Sequence, residues 1–140
     1  MAHTIERIDV WSGTIDDKPG AVADVLSTLA DAGADLEFVI ARREQKGKGV
    51  IFLAPLKGAA LARAGKKAGL KKTDKLYALR IQGTDKAGLG ATICRAIADA
   101  GVNMRGVNAV AIGRRSAFYL SFDDKTDATT ARRALNKTLK

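Results

Sequence analysis

Two short turns carry the groups most suited to chemistry. The first is Asp17-Lys18-Pro19-Gly20-Ala21 and the second is Asp85-Lys86-Ala87-Gly88-Leu89. Each follows a β-rich run and opens a helical pattern. The first amides of a helix have no partner within it, and with the helix dipole they favour an anion such as a carboxylate. Gly20 and Gly88 put no side chain between that backbone and a ligand. Asn103, in Val102-Asn103-Met104, brings an amide that both donates and accepts, so it suits the two ends of a zwitterion. Asp35 stands at the matching place in the first half, where a carboxylate repels a ligand carboxylate and attracts an ammonium. Two inequivalent sites are expected, with the one that uses Asn103 the better. The plainer use of the same residues is as helix caps and turns, Asp17 being a good N-cap.

Other reactive groups are sparse. Cys94 is the single cysteine, so there is no internal disulfide framework. It lies on an apolar helical stripe and is expected as a small buried hydrophobe. His3 is the one histidine and sits near the terminus. Neither a zinc site nor a general base has enough to work with. No cofactor is expected, and no catalysis. Asp16-Asp17 and Asp123-Asp124 stand at element boundaries, where turn and cap roles suffice.

The elements that position these residues come from an internal repeat. A shift of 68 positions lays Asp17, Lys18 and Gly20 on Asp85, Lys86 and Gly88, and Asp31-Ala32-Gly33 on Asp99-Ala100-Gly101. Such a repeat outranks local propensity as a guide to the fold. The first half reads as a strand over 7–15 and a helix over 18–32 with Val22, Val25, Leu26, Leu29 and Ala30 on one stripe. Pro19 fits the first helical turn. Strands over 35–44 and 50–54 follow, joined by a turn at Gln45 to Gly49. A basic helix over 57–68 comes next, then a short strand over 70–73. The second half replays this order: a strand over 75–81, a helix over 87–100, strands over 102–112 and 117–122, and a helix over 127–139. No residues remain for its last strand. The fold class is α+β: two ferredoxin-like βαββαβ repeats, 1–74 and 75–140, with antiparallel sheets and helices on one face.

This pattern resembles a tandem of two ACT domains, the small regulatory modules attached to many amino-acid biosynthetic enzymes. The resemblance rests on Asp17-Lys18-Pro19-Gly20, close to the family's Asp-Arg-Pro-Gly, on helices ending in Asp-Ala-Gly, and on Asn103 opening the next strand. It implies an eight-stranded sheet across paired domains, a small ligand (often an amino acid) held between two domains, and no catalysis by these modules. Ala87 in place of proline and Asp35 in place of asparagine depart from the family pattern, as does the missing last strand. With no catalytic domain attached, any regulated enzyme is an unidentified partner on another chain. A homodimer is expected, since it would complete sheets that one chain leaves unpaired.

Composition sets the alternatives. The chain has 140 residues and a net charge of +9. Residues 1–74 hold 12 basic and 10 acidic side chains, and residues 75–140 hold 12 and 5. That basic excess, with Arg114-Arg115, Arg132-Arg133 and the 57–72 stretch, motivates nucleic-acid binding as the rival function. Trp11, Phe52, Tyr77, Phe118, Tyr119 and Phe122 fall where RNA-recognition modules of similar topology display stacking aromatics. The run that marks those modules is absent, because Lys48-Gly49-Val50-Ile51-Phe52 lacks its first aromatic. Packing is the expected role of these rings, and nucleic acid is not the expected partner. No apolar run approaches the roughly 18 residues of a membrane span. The N-terminus has no secretory pattern, which points to the cytoplasm.

Overall fold

The computed structural model describes residues 3–73 and 77–139. In chain order the elements are β1 (Thr4–Ile8), β2 (Trp11–Asp16), α1 (Ala21–Asp31), β3 (Phe38–Gln45), β4 (Lys48–Ala54) and α2 (Ala59–Lys67). They continue with β5 (Lys71–Lys72), β6 (Tyr77–Thr84), α3 (Leu89–Asp99), β7 (Gly106–Ile112), β8 (Arg115–Phe122) and α4 (Lys125–Thr138). The chain divides into two compact units, one of residues 9–73 and one joining the N-terminal residues through Ile8 to the chain after Thr73. No helix is long and apolar enough to cross a membrane among the described residues.

In the unit of residues 9–73 the sheet order is β3-β4-β2-β5, antiparallel throughout. This is the split βαβ arrangement, with β4 between the two strands that flank α1. Trp11, Ile51 and Leu53 point from the sheet onto Val25 and Leu29 of α1 and Ala64 of α2. Leu29, Ile51 and Leu53 are essentially inaccessible, and each such burial stabilises by about 1.5–3 kcal/mol. Gly13 is needed for close approach: a Cβ there would lie 2.8 Å from the Gly69 carbonyl oxygen.

The other unit has the sheet order β1-β6-β8-β7. Here the expected strand over 7–15 is corrected. The run is two strands, and only β2 belongs with residues 9–73. β1 pairs antiparallel with β6 from Thr4↔Gln82 to Ile8↔Ala78. Among the described residues no strand follows α4, and β1 takes the edge beside β6. Ile5 enters the core formed by Leu79, Ile81, Ile93, Ile97, Leu120 and Leu135. Residues 3–8 therefore group with the second repeat, not with the first as the boundary at 74 implies. The physical reason is that an open edge beside β6 offers unpaired backbone groups and an uncovered core, and β1 satisfies both.

The repeat is preserved to the residue in its helices: α1 and α3 each have 11 residues and lie 68 positions apart. Both start later than expected, at Ala21 and Leu89, and Pro19 lies outside the helix. The expected strand over 75–81 begins at Tyr77, and its first two residues lie outside the described residues. Trp11, Phe118 and Phe122 are core residues. Phe52, Tyr77 and Tyr119 are half-buried, with Arg42 over Phe52 and Arg7 over Tyr77.

Of the four edge strands, the equivalent pair β3 and β7 differ. β3 carries Arg42, Arg43 and Glu44, with an irregularity between Arg43 and Gln45. These are devices that keep an edge from pairing. β7 reads Gly-Val-Asn-Ala-Val-Ala-Ile, has no charge, and keeps an unbroken register with β8. Val107, Val110 and Ile112 are 45%, 50% and 77% exposed.

Candidate functional site

The two glycine turns have the same backbone. Gly20 (φ 90°) and Gly88 (φ 85°) are the N-cap residues of α1 and α3, both left-handed. An L side chain at such a φ costs roughly 1–2 kcal/mol, so glycine fits. No side chain caps either helix. This corrects the expectation that Asp17 is an N-cap. The left-handed glycine ends the turn three residues later, and the Asp17 carboxylate instead accepts from Nε of Arg43 on β3. That contact also holds the Arg43 guanidinium above its ordinary pKa. Asp16 accepts from Lys48 Nζ at 3.0 Å, and this hydrogen bond keeps its carboxyl below the usual carboxylate range.

Within each turn some amides are already used. Ala21 donates to the Lys18 carbonyl at 3.3 Å and Leu89 to that of Lys86 at 3.2 Å. Asp24 and Thr92 donate to Gly20 and Gly88. The amides between them, of Val22 and Ala23 and of Gly90 and Ala91, face the N-terminal end of their helix without a side-chain cap. Asp17, Lys18, Pro19 and Gly20 are exposed, as are Lys86, Ala87 and Gly88. Ala21 and Asp85 are half-buried. Leu89 is 1% exposed and belongs to the core, so its side chain is not available to a ligand.

Asn103 and Met104 lie elsewhere. The 11 residues of α3 span about 16 Å, and this pair follows the far end of the helix. They line a groove of about 890 Å³ that runs along α3 from Ala91 to Asp99 and ends against Val102 and Thr138. Within the second repeat, then, the expected residues separate into a turn at one end of α3 and a groove wall at the other. Thr92 lines the groove, and its hydroxyl donates to the Gly88 carbonyl at 3.2 Å. Asp35 is exposed after α1 at the place matching Asn103.

The groove contains residues that the sequence reading missed. Arg95 and Asp99 are exposed on consecutive turns of α3 and line it together. The signal was present: they are four apart on one face, and the 68-position shift sets Arg95 against Ser27, a gain of charge between the two helices. Cys94 also lines the groove and is half-buried, not fully buried as expected. The matching positions in the first repeat are Asp24, Ser27, Asp31 and Asp35, three acids without a base. His3 donates from Nε2 to the Thr84 carbonyl at 3.2 Å, a structural contact. Among the described residues no three His, Cys, Asp or Glu side chains converge on a possible metal position.

No family description and no curated protein matches the sequence. Solved structures do resemble the fold. The regulatory subunit of aspartate kinase from Thermus thermophilus, in its ligand-free form, has a TM-score of 0.68 at 16% identity, over 100% of this chain and 98% of that one. The regulatory subunit of aspartate kinase from Thermus flavus has a TM-score of 0.58 at 18% identity, over 100% and 98%. The protein BT0572 from Bacteroides thetaiotaomicron has a TM-score of 0.79 at 14% identity, over 95% and 89%. The chain therefore has the tandem ACT-type fold of these aspartate kinase regulatory subunits.

Proposed function

We propose that the chain is a non-catalytic regulatory protein that binds a small molecule, an amino acid, and acts through contact with a separate enzyme. The observation that carries this reading is the groove along α3, where Asn103, Arg95 and Asp99 offer both signs of charge beside apolar walls. Binding sites for small ligands combine a mostly apolar lining with a few convergent polar groups, and this groove has that composition. The likeness in fold to regulatory subunits supports the same reading. The uncapped helix starts at Gly20 and Gly88 are a second feature suited to a carboxylate. The asymmetry also stands as a proposal: the second repeat binds and the first does not, because Asp24, Asp31 and Asp35 repel a ligand carboxylate.

The working form in this reading is a homodimer in the cytoplasm. The unguarded edge of β7 is the surface that a second copy would extend, continuing the antiparallel sheet. β3, with its charges and irregularity, stays free.

A thermal-shift screen against the twenty amino acids tests the proposal, since a ligand of the folded state raises Tm by mass action. At least one is expected to raise Tm by several degrees at millimolar concentration, and Asn103→Ala to reduce that rise. No shift with any amino acid would contradict it.

A further inference from the structure

Resting on the amino-acid reading above, we infer that the α3 groove takes an α-amino acid with an uncharged, apolar side chain, its carboxylate on Arg95 and its ammonium on Asp99. Among the described residues that line the groove these two are the only charged ones. Neither makes an ion pair or side-chain hydrogen bond with a described residue, in contrast to Arg43, Arg80 and Arg105. Their order along the helix explains this. An i, i+4 pair is favourable with the acid N-terminal to the base, and here the base comes first. Side chains four apart on a helix have Cβ atoms about 5–6 Å apart, a spacing that the two ends of one zwitterion can bridge.

The helix polarity agrees with the assignment. Asp99 is in the last turn of α3, which holds no basic residue. The negative end of the dipole and the carboxylate together favour a cation there. Arg95 lies a turn earlier, where its planar fork fits a carboxylate bidentately. Asn103 stands beside the ammonium pole and can accept from it. The rest of the lining decides the side chain. Ala91, Cys94, Ala98, Val102 and Met104 are apolar, and Thr92 has committed its proton to Gly88. A lysine or aspartate side chain would enter this surface without a counter-charge, because both charges are used by the ligand's own head.

Calorimetric titration of the full chain with L-leucine, L-lysine, L-aspartate and 4-methyl-2-oxopentanoate tests this. L-Leucine is expected to bind at least tenfold more tightly than the other three, the oxo acid failing for want of an ammonium. Arg95→Ala and Asp99→Asn should each weaken leucine at least tenfold, while Ser27→Ala and Asp35→Ala leave it unchanged. All four positions are exposed, and circular dichroism confirms that the variants fold. Tighter binding of lysine or aspartate would overturn the inference and leave the amino-acid reading standing. So would leucine binding that ignores Arg95→Ala. Silence with every amino acid would overturn both.

Discussion

Glu6 lies directly opposite Arg80 on neighbouring antiparallel strands, with its carboxylate oxygen 2.5 Å from the guanidinium, although 74 residues separate them in the chain. The pair marks where the N-terminal strand closes the sheet of the second repeat. Each sheet therefore has four strands, and β1 supplies the fourth strand of the second repeat's sheet. The unit built from residues 3–8 and 77–139 is the one that holds the proposed ligand groove.

Ile5 should matter far more than Glu6 to that unit. Ile5 is 8% exposed and packs in the core. Ile5→Ala is expected to cost about 2–4 kcal/mol in urea denaturation. Glu6→Ala removes a contact whose carboxylate is half exposed and should cost no more than about 1 kcal/mol. Equal effects would mean that β1 is held by charge and not by burial.

Gly13 and Gly90 make opposite predictions. A Cβ on Gly13 would meet the Gly69 carbonyl oxygen at 2.8 Å and Leu70 Cδ2 at 2.9 Å. Backbone cannot yield cheaply, so Gly13→Ala should destabilise by about 1–3 kcal/mol. Gly90 is helical, and its Cβ would make ordinary contact with Phe118 at 3.5 Å. Gly90→Ala should be neutral or stabilise by up to about 1 kcal/mol. Thermal unfolding of both variants checks the pair.

Val110 and Ile112 test the assembly surface. Both are well exposed on β7. Val110→Lys or Ile112→Lys should shift sedimentation from dimer to monomer while leaving circular dichroism unchanged, because a charged edge resists pairing. Arg42→Ala on β3 should not. An unchanged sedimentation profile in the β7 variants would exclude this edge.

Asp16 should titrate at unusually low pH. Its folded-state pKa is depressed, chiefly by the hydrogen bond from Lys48. The contribution of such a group is present above its unfolded pKa, about 3.9, and is lost as pH falls through the folded value. In an NMR titration the Asp16 carboxyl should move up toward the ordinary value in Lys48→Ala. No movement would show that the contact is not made in solution.

Much of the architecture was legible because the repeat is ungapped. Gly20 and Gly88 take the same left-handed backbone, and Gly33 and Gly101 do so after the helices. The apolar stripes Val25, Leu29 and Ile93, Ile97 all face cores. The place of β1 was not legible. Ile5 and Ile8 form too short a pattern to reveal that their partner is a distant strand, because sheet pairing is non-local. Asp17 misled for a different reason. Its type suits a cap, but the helix start is set by the backbone of Gly20, and Arg43, 26 residues away, takes the carboxylate. Exposed charges four apart on a helix are common, so nothing singled out Arg95 and Asp99 until the fold placed Asn103 on the same groove.

A backbone amide NMR titration of the full chain with L-leucine tests the central claim most directly. The account predicts saturable shifts that cluster from Thr92 to Met104, with residues 9–73 unperturbed. Shifts confined to residues 9–73, or none with leucine or any other amino acid at millimolar concentration, would contradict it.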